Sequence, residues 1–142
     1  MPVSASDRVT WFVDGNNVVG AGADGWWNDR PAAFERFAQA VARWANDHEA
    51  EVVLVFDGAP IERVAALAGG PLRIEFAPRR GRDAADDRIV ELVDEQREAS
   101  AGGSIVVATS DRGLVRRLRE GTEVEGAGAF RRRLGLAMPR GR

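Results

Sequence analysis

The sequence predicts an α/β domain with a mostly parallel sheet of four to five strands and helices on both faces. Three short runs, residues 9–13, 51–56 and 104–109, are rich in β-branched residues and almost continuously apolar. This pattern is typical of strands that are covered on both faces. Apolar residues recur at helical spacing between the runs, and such alternation favours right-handed crossovers and a parallel sheet.

Two further strands and four helices complete the prediction. Residues 72–76 alternate between apolar and polar, which fits a strand nearer an edge, and residues 122–125 fit a short fifth strand. Helical spacing and glycine stops predict four helices, at residues 31–45, 61–67, 83–99 and 111–120. We therefore expect one three-layer domain over residues 9–137, with short tails at residues 1–8 and 138–142.

Composition excludes several classes of protein. The 142 residues contain no cysteine, which rules out a disulfide framework and a thiolate zinc site. All 20 basic residues are arginines, so the chain cannot use a Schiff-base lysine or a phosphate-loop lysine. The first ten residues are polar and no apolar run is long enough to span a bilayer, so we expect a cytoplasmic protein without a membrane segment.

Aspartates follow three of the predicted strands. Asp14 and Asp57 each come directly after an apolar run, and Asp111 follows the third run one residue later. The carboxyl ends of parallel strands share one edge, where open α/β sheets bind ligands. One such aspartate is often only a helix cap, and Asp111 alone fits that interpretation. Three together predict a shared site.

The helix that begins near Asp83 adds further acids. Its apolar residues group on one side, Asp83 and Asp87 point nearly the opposite way, and Asp86 lies at the border of the apolar face. Asp86 is therefore the best candidate to reach the strand-end acids, and Asp83 is the second. Asp83 also fits a helix N-cap, since acids in the first turn are favoured by the helix dipole.

The predicted site contains carboxylates but no histidine or cysteine, so its metal ligands would all be oxygen atoms. Oxygen-only ligation suits Mg²⁺ or Mn²⁺ better than zinc. Such a site normally leaves coordination positions to water and a substrate phosphate, so hydrolysis of a phosphodiester is the expected reaction. Asn17 is a candidate to orient water or contact the phosphate, and Ser110 is a candidate hydrogen-bond donor to the same group.

Four motifs, taken in order, resemble the NYN domains of the PIN-like superfamily, the ribonuclease group that includes the YacP-like proteins. They are DGNNVVG at residues 14–20, VFDG at 55–58, RDAADDRI at 82–89 and VATSD at 107–111. The resemblance covers about residues 9–118. It implies a Rossmann-like parallel sheet, a divalent metal and an endoribonuclease that hydrolyses RNA.

The resemblance also implies roles for individual residues. Asp14, Asp86 and Asp111 would be the principal metal ligands. Asp57 and Asp83 would be supporting acids. The doubled acid Asp86 and Asp87 departs from the family pattern and leaves the helix ligand open between these two residues.

Candidate RNA-binding residues flank the acidic motifs. Arginine side chains supply bidentate phosphate contacts, and adjacent tryptophans can stack on unpaired bases or instead pin a loop to the next helix. The candidates are Arg79, Arg80, Arg82, Arg112, Trp26 and Trp27.

Two alternatives stay open at this point. The first is a catalytically inactive PIN-like module that binds RNA or a protein. The second, a phosphatase of the haloacid-dehalogenase type, expects a second aspartate two residues after the first, where this chain has Asn16, and a lysine that it lacks. The RNA target and the oligomeric state stay open. So do the choice between RNA and DNA as the substrate, the number of metal ions, and whether a ribosome or protein partner directs the domain.

Overall fold

The computed structural model describes residues 9–22, 25–77, 83–99 and 103–136. These ranges include all the segments predicted as strands and helices. The predicted tails, residues 1–8 and 138–142, lie outside them. So do Arg79, Arg80 and Arg82 of the candidate RNA-binding set.

Five strands form one sheet in which every neighbouring pair is parallel. Along the chain they are Val9–Asp14 (β1), Glu51–Asp57 (β2), Leu72–Ala77 (β3), Ser104–Ala108 (β4) and Glu123–Glu125 (β5). The spatial order is β3-β2-β1-β4-β5. The three apolar runs are the three interior strands, and the alternating run is an edge strand. The predicted parallel α/β fold is therefore confirmed.

Helices cover both faces of the sheet. They are Gly15–Gly20 (α1), Arg30–His48 (α2), Glu62–Ala65 (α3), Ala84–Ala99 (α4), Arg112–Arg117 (α5) and Ala127–Arg133 (α6), with a 3-10 turn at Trp26–Asn28. One hydrophobic core joins β1, β2 and β4 to α1, α2, α3 and α6, and the core on the opposite face joins the sheet to α4 and α5. Within the described ranges, no helix combines the length and apolarity needed to cross a membrane.

The amphipathic patterns identified the buried faces correctly. On α4 the buried residues are Ala85, Ile89, Leu92 and Val93, the four apolar positions that group on one side of the predicted helix. Trp11 and Trp44 meet edge to face in the core, with ring centroids 5.1 Å apart. Burial of these apolar surfaces is the main favourable contribution to the stability of the sheet and its helices.

Two helices, α1 and α6, were not predicted. The six residues of α1 include two asparagines and glycines at both ends, a composition with low helix propensity. The helix forms because it packs closely on the sheet: a Cβ at Gly15 would lie 2.5 Å from the buried Phe56 ring. In α6 only Ala127 and Phe130 are buried apolar residues, too few to give a helical period.

The strand order places a crevice next to Asp14. The chain builds β1, β2 and β3 outward in one direction, then returns to add β4 on the other side of β1. The connections therefore diverge at the carboxyl ends of β1 and β4, and this is where open parallel sheets bind ligands. The residues at this switch point are the last residue of β1 and the turn that follows β4.

Candidate active site

Asp14 is the most buried acid at this edge. It ends β1, and only 4% of its surface is exposed. Burial and, to a smaller extent, the negative charges of Asp111 and Asp57 raise the pKa of its carboxyl group against the lowering effect of hydrogen bonds, and together they bring it from 3.8 to about 6. The folded structure therefore holds a carboxylate in a place where its charge is costly without a nearby cation.

Thr109 contacts Asp14 directly and was not predicted as a site residue. It follows β4, is 1% exposed, and its hydroxyl Oγ1 donates a 2.8 Å hydrogen bond to Oδ2 of Asp14. The same oxygen accepts a 3.0 Å hydrogen bond from the backbone N–H of Asp111. Thr109 thus links two of the strand-end acids through one side chain.

Asp86 lies within the electrostatic field of the other acids. It is half-buried on α4, and burial is the largest cause that raises the pKa of its carboxyl group to about 7. The negative charges of four other acids contribute to the same rise, in the decreasing order Asp14, Asp111, Asp83 and Asp57. The helix acid and the strand-end acids are therefore one coupled group of charges.

The adjacent Asp87 faces another way. It is exposed, and its Oδ1 lies 2.8 Å from the guanidinium Nη2 of Arg117 on α5. Of the doubled acid, the structure brings Asp86 and not Asp87 into the field of the strand-end acids.

Asp111 and Asp57 each cap a helix with one oxygen. Oδ1 of Asp111 accepts hydrogen bonds from the backbone N–H groups of Gly113 and Leu114, at 2.8 and 3.1 Å, at the start of α5. Oδ1 of Asp57 accepts a 3.0 Å hydrogen bond from the backbone N–H of Ala85 in α4. Within the described ranges, no hydrogen bond or ion pair uses the second oxygen of either carboxylate.

Asp83 does not make the helix cap that its position suggests. It is exposed, and in the described part of the chain its side chain forms no hydrogen bond. Asp57 supplies the capping oxygen at the start of α4 instead, from the neighbouring strand end. Asp83 still contributes negative charge, since it raises the pKa of Asp86.

The asparagines of α1 hold the strand ends together. Oδ1 of Asn16 accepts a 2.9 Å hydrogen bond from the backbone N–H of Asp57, and Oδ1 of Asn17 accepts a 2.8 Å bond from that of Ser110. Oγ of Ser110 in turn accepts a 2.8 Å bond from the backbone N–H of Ala127 in α6. The residues predicted to face a substrate therefore also position the turns around Asp14.

A shallow groove continues from this edge towards the 3-10 turn. It has a volume of about 330 Å³ and is lined by Asn16, Asn17, Ser110 and Trp26, together with small residues of α1 and α6. Trp26 is half-buried against the core, whereas Trp27 is 60% exposed and does not line the groove. The two adjacent tryptophans are thus in different environments.

Arg112 is the one predicted phosphate-binding arginine within the described residues, and two arginines of α6 are engaged elsewhere. Arg131 is buried, and its guanidinium lies 3.4 Å from the carbonyl oxygen of Val18. Arg133 pairs with Glu125 and lies over the ring of Trp11. Arg112 is exposed at the first position of α5, directly after Asp111.

The acids provide the ligand chemistry of a divalent cation, but they do not form a closed cluster. Among the residues that the structure describes, no group of three or more His, Cys, Asp or Glu side chains is close enough to hold a metal ion. The donor atoms are carboxylate oxygens, which suit Mg²⁺ and Mn²⁺. The raised pKa values of Asp14 and Asp86 fit a place where a cation would relieve repulsion among like charges.

Two solved structures share this fold. The crystal structure of Rae1 (YacP) from Bacillus subtilis gives a TM-score of 0.72 at 21% identity, covering 89% of this chain and 73% of the other. The T5 D15 protein, co-crystallized with metal ions, gives a TM-score of 0.54 at 12% identity, covering 84% of this chain and 54% of the other. The chain thus spans about half the length of the T5 protein. At these identities the likeness shows the fold alone.

The sequence matches a family as well as a fold. A search of curated proteins finds no match to the chain. The family described as YacP-like NYN domain, in contrast, matches residues 11–133, from the middle of β1 to the end of α6. That span contains every strand-end acid and helix acid described above. The chain therefore belongs to the YacP-like NYN domain family.

Proposed function

We propose that this chain is a metal-dependent endoribonuclease that hydrolyses RNA phosphodiester bonds at the edge formed by β1, β4 and the start of α4. The observation that carries the proposal is the buried carboxylate of Asp14, whose pKa is raised to about 6 and which shares its field with Asp57 and Asp111. Membership of the YacP-like NYN family supports RNA as the substrate.

Asp14, Asp86 and Asp111 are the proposed ligands of Mg²⁺ or Mn²⁺. The three acids interact electrostatically, and Asp111 keeps one carboxylate oxygen outside its helix cap. A bound divalent cation would supply charge stabilisation at the phosphate and a more acidic water. Asp57 and Asp83 are proposed as supporting acids, because both increase the negative potential at Asp86.

The surrounding polar residues are proposed to position the acids and the phosphate. The Thr109 hydroxyl fixes the orientation of the Asp14 carboxylate. Asn17 uses its oxygen to hold Ser110, so its amide NH₂ group is the part that remains for a phosphate or a water. The Ser110 hydroxyl accepts from Ala127 and can still donate its own hydrogen.

The proposed phosphate contacts come from arginines next to the acids. Arg112 begins α5 beside Asp111, and Arg79, Arg80 and Arg82 precede the acidic helix in sequence. A guanidinium group can bind two phosphate oxygens at once, which suits it to hold an RNA backbone against an acidic site.

The test is cleavage of a labelled single-stranded RNA with Mg²⁺, Mn²⁺ or EDTA. We expect cleavage only with a divalent metal, and a loss of at least about 100-fold in Asp14→Asn and Asp111→Asn, because each removes a ligand charge. Asp87→Asn is the matched control: it removes an acid of the same helix that pairs with Arg117, and we expect near wild-type cleavage. A DNA of the same sequence tests the choice of nucleic acid.

One observation favours the second candidate, an inactive module that binds RNA or a protein. In the described ranges the acids are coupled but no three of them form a ready-made ligand group. If the protein binds RNA without cutting it, and metal does not raise the melting temperature, the binding-module function replaces the nuclease.

A further inference from the structure

The groove beside the carboxylate edge has both polar and aromatic walls. Asn17 and Ser110 belong to the groove and to the turns around Asp14, so the two sites are continuous. The groove has a volume of about 330 Å³ and is open to solvent on one side. Small residues, including the buried Ala127, form its back wall. A flat ring next to a phosphate at the acids would reach this groove.

The orientation of the two asparagine amides follows from their partners. A backbone N–H can only donate, so the atom that faces the N–H of Asp57 must be the oxygen of Asn16. The same argument fixes the oxygen of Asn17 against the N–H of Ser110. The atoms that remain for a ligand on both side chains are therefore NH₂ groups.

These NH₂ groups are accessible. In the described part of the chain, the one buried side-chain nitrogen or oxygen without a partner is Nε of Arg97. Asn16 and Asn17 are partly exposed, and their Nδ2 atoms have no hydrogen bond among the described residues. Because neither nitrogen is a buried atom without a partner, both reach solvent. Ser110 is exposed and its hydroxyl already accepts a hydrogen bond, so it too has a hydrogen to donate.

Trp26 supplies an aromatic surface that is held in place. It packs against the core on one side, meets Trp27 edge to face at 6.0 Å, and has the Arg30 guanidinium 5.9 Å from its ring. A half-buried indole with fixed neighbours loses little conformational entropy when a base stacks on it. Stacking of this kind is tolerant of sequence, so selectivity has to come from the polar walls.

We propose that this groove binds one nucleobase of the RNA and selects for a carbonyl oxygen over an amino group at the pairing position of the base. The NH₂ group of Asn16, which the proposed nuclease function does not use, lines this groove and can only donate a hydrogen bond, so it matches the O4 of uracil and the O6 of guanine. The N4 amino group of cytosine and the N6 amino group of adenine would meet donor against donor. This selectivity rests on the proposed nuclease function, since it names the base next to the phosphate that is cut.

Nucleosides test the groove without phosphate, metal or cleavage. The probes are two matched pairs, uridine against cytidine and inosine against adenosine, titrated into the full chain. The readouts are the backbone amide resonances of Ser110 and Ala127 in the groove, which every variant keeps, and the indole N–H resonance of Trp26 among the four tryptophans, identified by its absence in Trp26→Phe. We expect uridine and inosine to bind about three to ten times more tightly than their amino counterparts, the range of one hydrogen bond.

Three variants separate stacking from hydrogen bonding. Trp26→Ala should weaken all four nucleosides by about tenfold or more. Trp27→Ala, the adjacent tryptophan outside the groove, should keep the preference. Asn16→Asp keeps the oxygen that holds Asp57 but replaces the NH₂ donor with an acceptor that suits an amino group, so it should lower the uridine-to-cytidine ratio.

Equal binding within each pair, no shift of the Trp26 resonance, or an unchanged ratio in Asn16→Asp would overturn the base selectivity. The nuclease function fails separately. Nucleoside preference without RNA cleavage would contradict the nuclease function and support base binding in the groove. Metal-dependent cleavage without nucleoside preference would support the nuclease function and contradict the base selectivity.

Discussion

At the scale of single residues, the hydroxyl of Thr109 has more influence on Asp14 than any other hydrogen-bonding group. It donates to a carboxylate that is 4% exposed, and its hydrogen bond lowers the pKa of Asp14 against the effect of burial. Without it, one oxygen of a buried carboxylate would lose its partner. An unsatisfied buried acceptor is costly, and it also leaves a ligand free to rotate.

We therefore predict different outcomes for two substitutions at this position. Thr109→Val keeps the shape but removes the hydroxyl, and should lower the free energy of unfolding by about 1–3 kcal/mol. It should also lower metal-dependent RNA cleavage by about 10- to 100-fold, as loss of a group that orients a ligand does. Thr109→Ser keeps the hydroxyl and should restore most of both. Urea unfolding and initial cleavage rates measure this, and equal effects of Val and Ser would contradict the role of the hydroxyl.

Sequence reasoning recognised the acids but not this threonine. A carboxylate directly after an apolar strand is visible as a pattern, because strand ends of a parallel sheet meet at one edge. A strand-end threonine is common and has no such signature. Its contact with Asp14 depends on the side-by-side pairing of β1 and β4, which are 95 residues apart at these positions.

At the scale of elements, α1 decides how the strand ends are spaced. Its asparagines bind the ends of β2 and β4, and Gly15 lets its first turn lie against the ring of Phe56. The sequence did not predict this helix, because its residues have low helix propensity and show no hydrophobic period. Tertiary contacts stabilise it instead of local preference. The longer helices α2 and α4 were predictable, since their buried faces repeat over several turns.

Two glycine substitutions test the close packing of α1. In Gly15→Ala the added Cβ would lie 2.5 Å from Phe56 and 2.9 Å from the carbonyl oxygen of Val55, so we predict a loss of about 1–3 kcal/mol in the free energy of unfolding. Gly20→Ala is the control at the other end of the helix, where the nearest atom is at 3.7 Å. It should leave stability unchanged or slightly raised. Denaturant unfolding compares them, and equal stability of the two variants would contradict the packing.

At the scale of the whole molecule, topology is what gathers the acids. The order β3-β2-β1-β4-β5 places β1 and β4 side by side at the switch point and brings the start of α4 over the same edge. The parallel sheet and the shared edge of its strand ends followed from the sequence, since short apolar strands alternating with helices favour this arrangement, but the strand order did not. The different roles of neighbouring acids could not be predicted from the sequence, because each role depends on which partner the side chain contacts in the folded state.

The gathered charges also set how the protein responds to pH. In the folded state Asp14 and Asp86 keep protons up to pH values of about 6 and 7, whereas the ordinary value of the group is 3.8. A divalent cation binds the ionised carboxylates, so its binding must release these protons. Affinity for metal should therefore rise with pH through this window and level off above it.

The proposed metal site is tested by calorimetric titration of Mn²⁺ into the protein across that pH window, in buffers of different ionisation enthalpy. We predict saturable binding that tightens as pH rises, with proton release per bound ion that is largest below the two pKa values, falls through the window, and is reduced in Asp14→Asn and Asp86→Asn. Asp87→Asn, with its acid on the outer side of the same helix, should bind as the wild type does. Mn²⁺ that fails to bind, or binds equally well to the Asp14 and Asp86 variants, would contradict a metal site at this edge of the sheet.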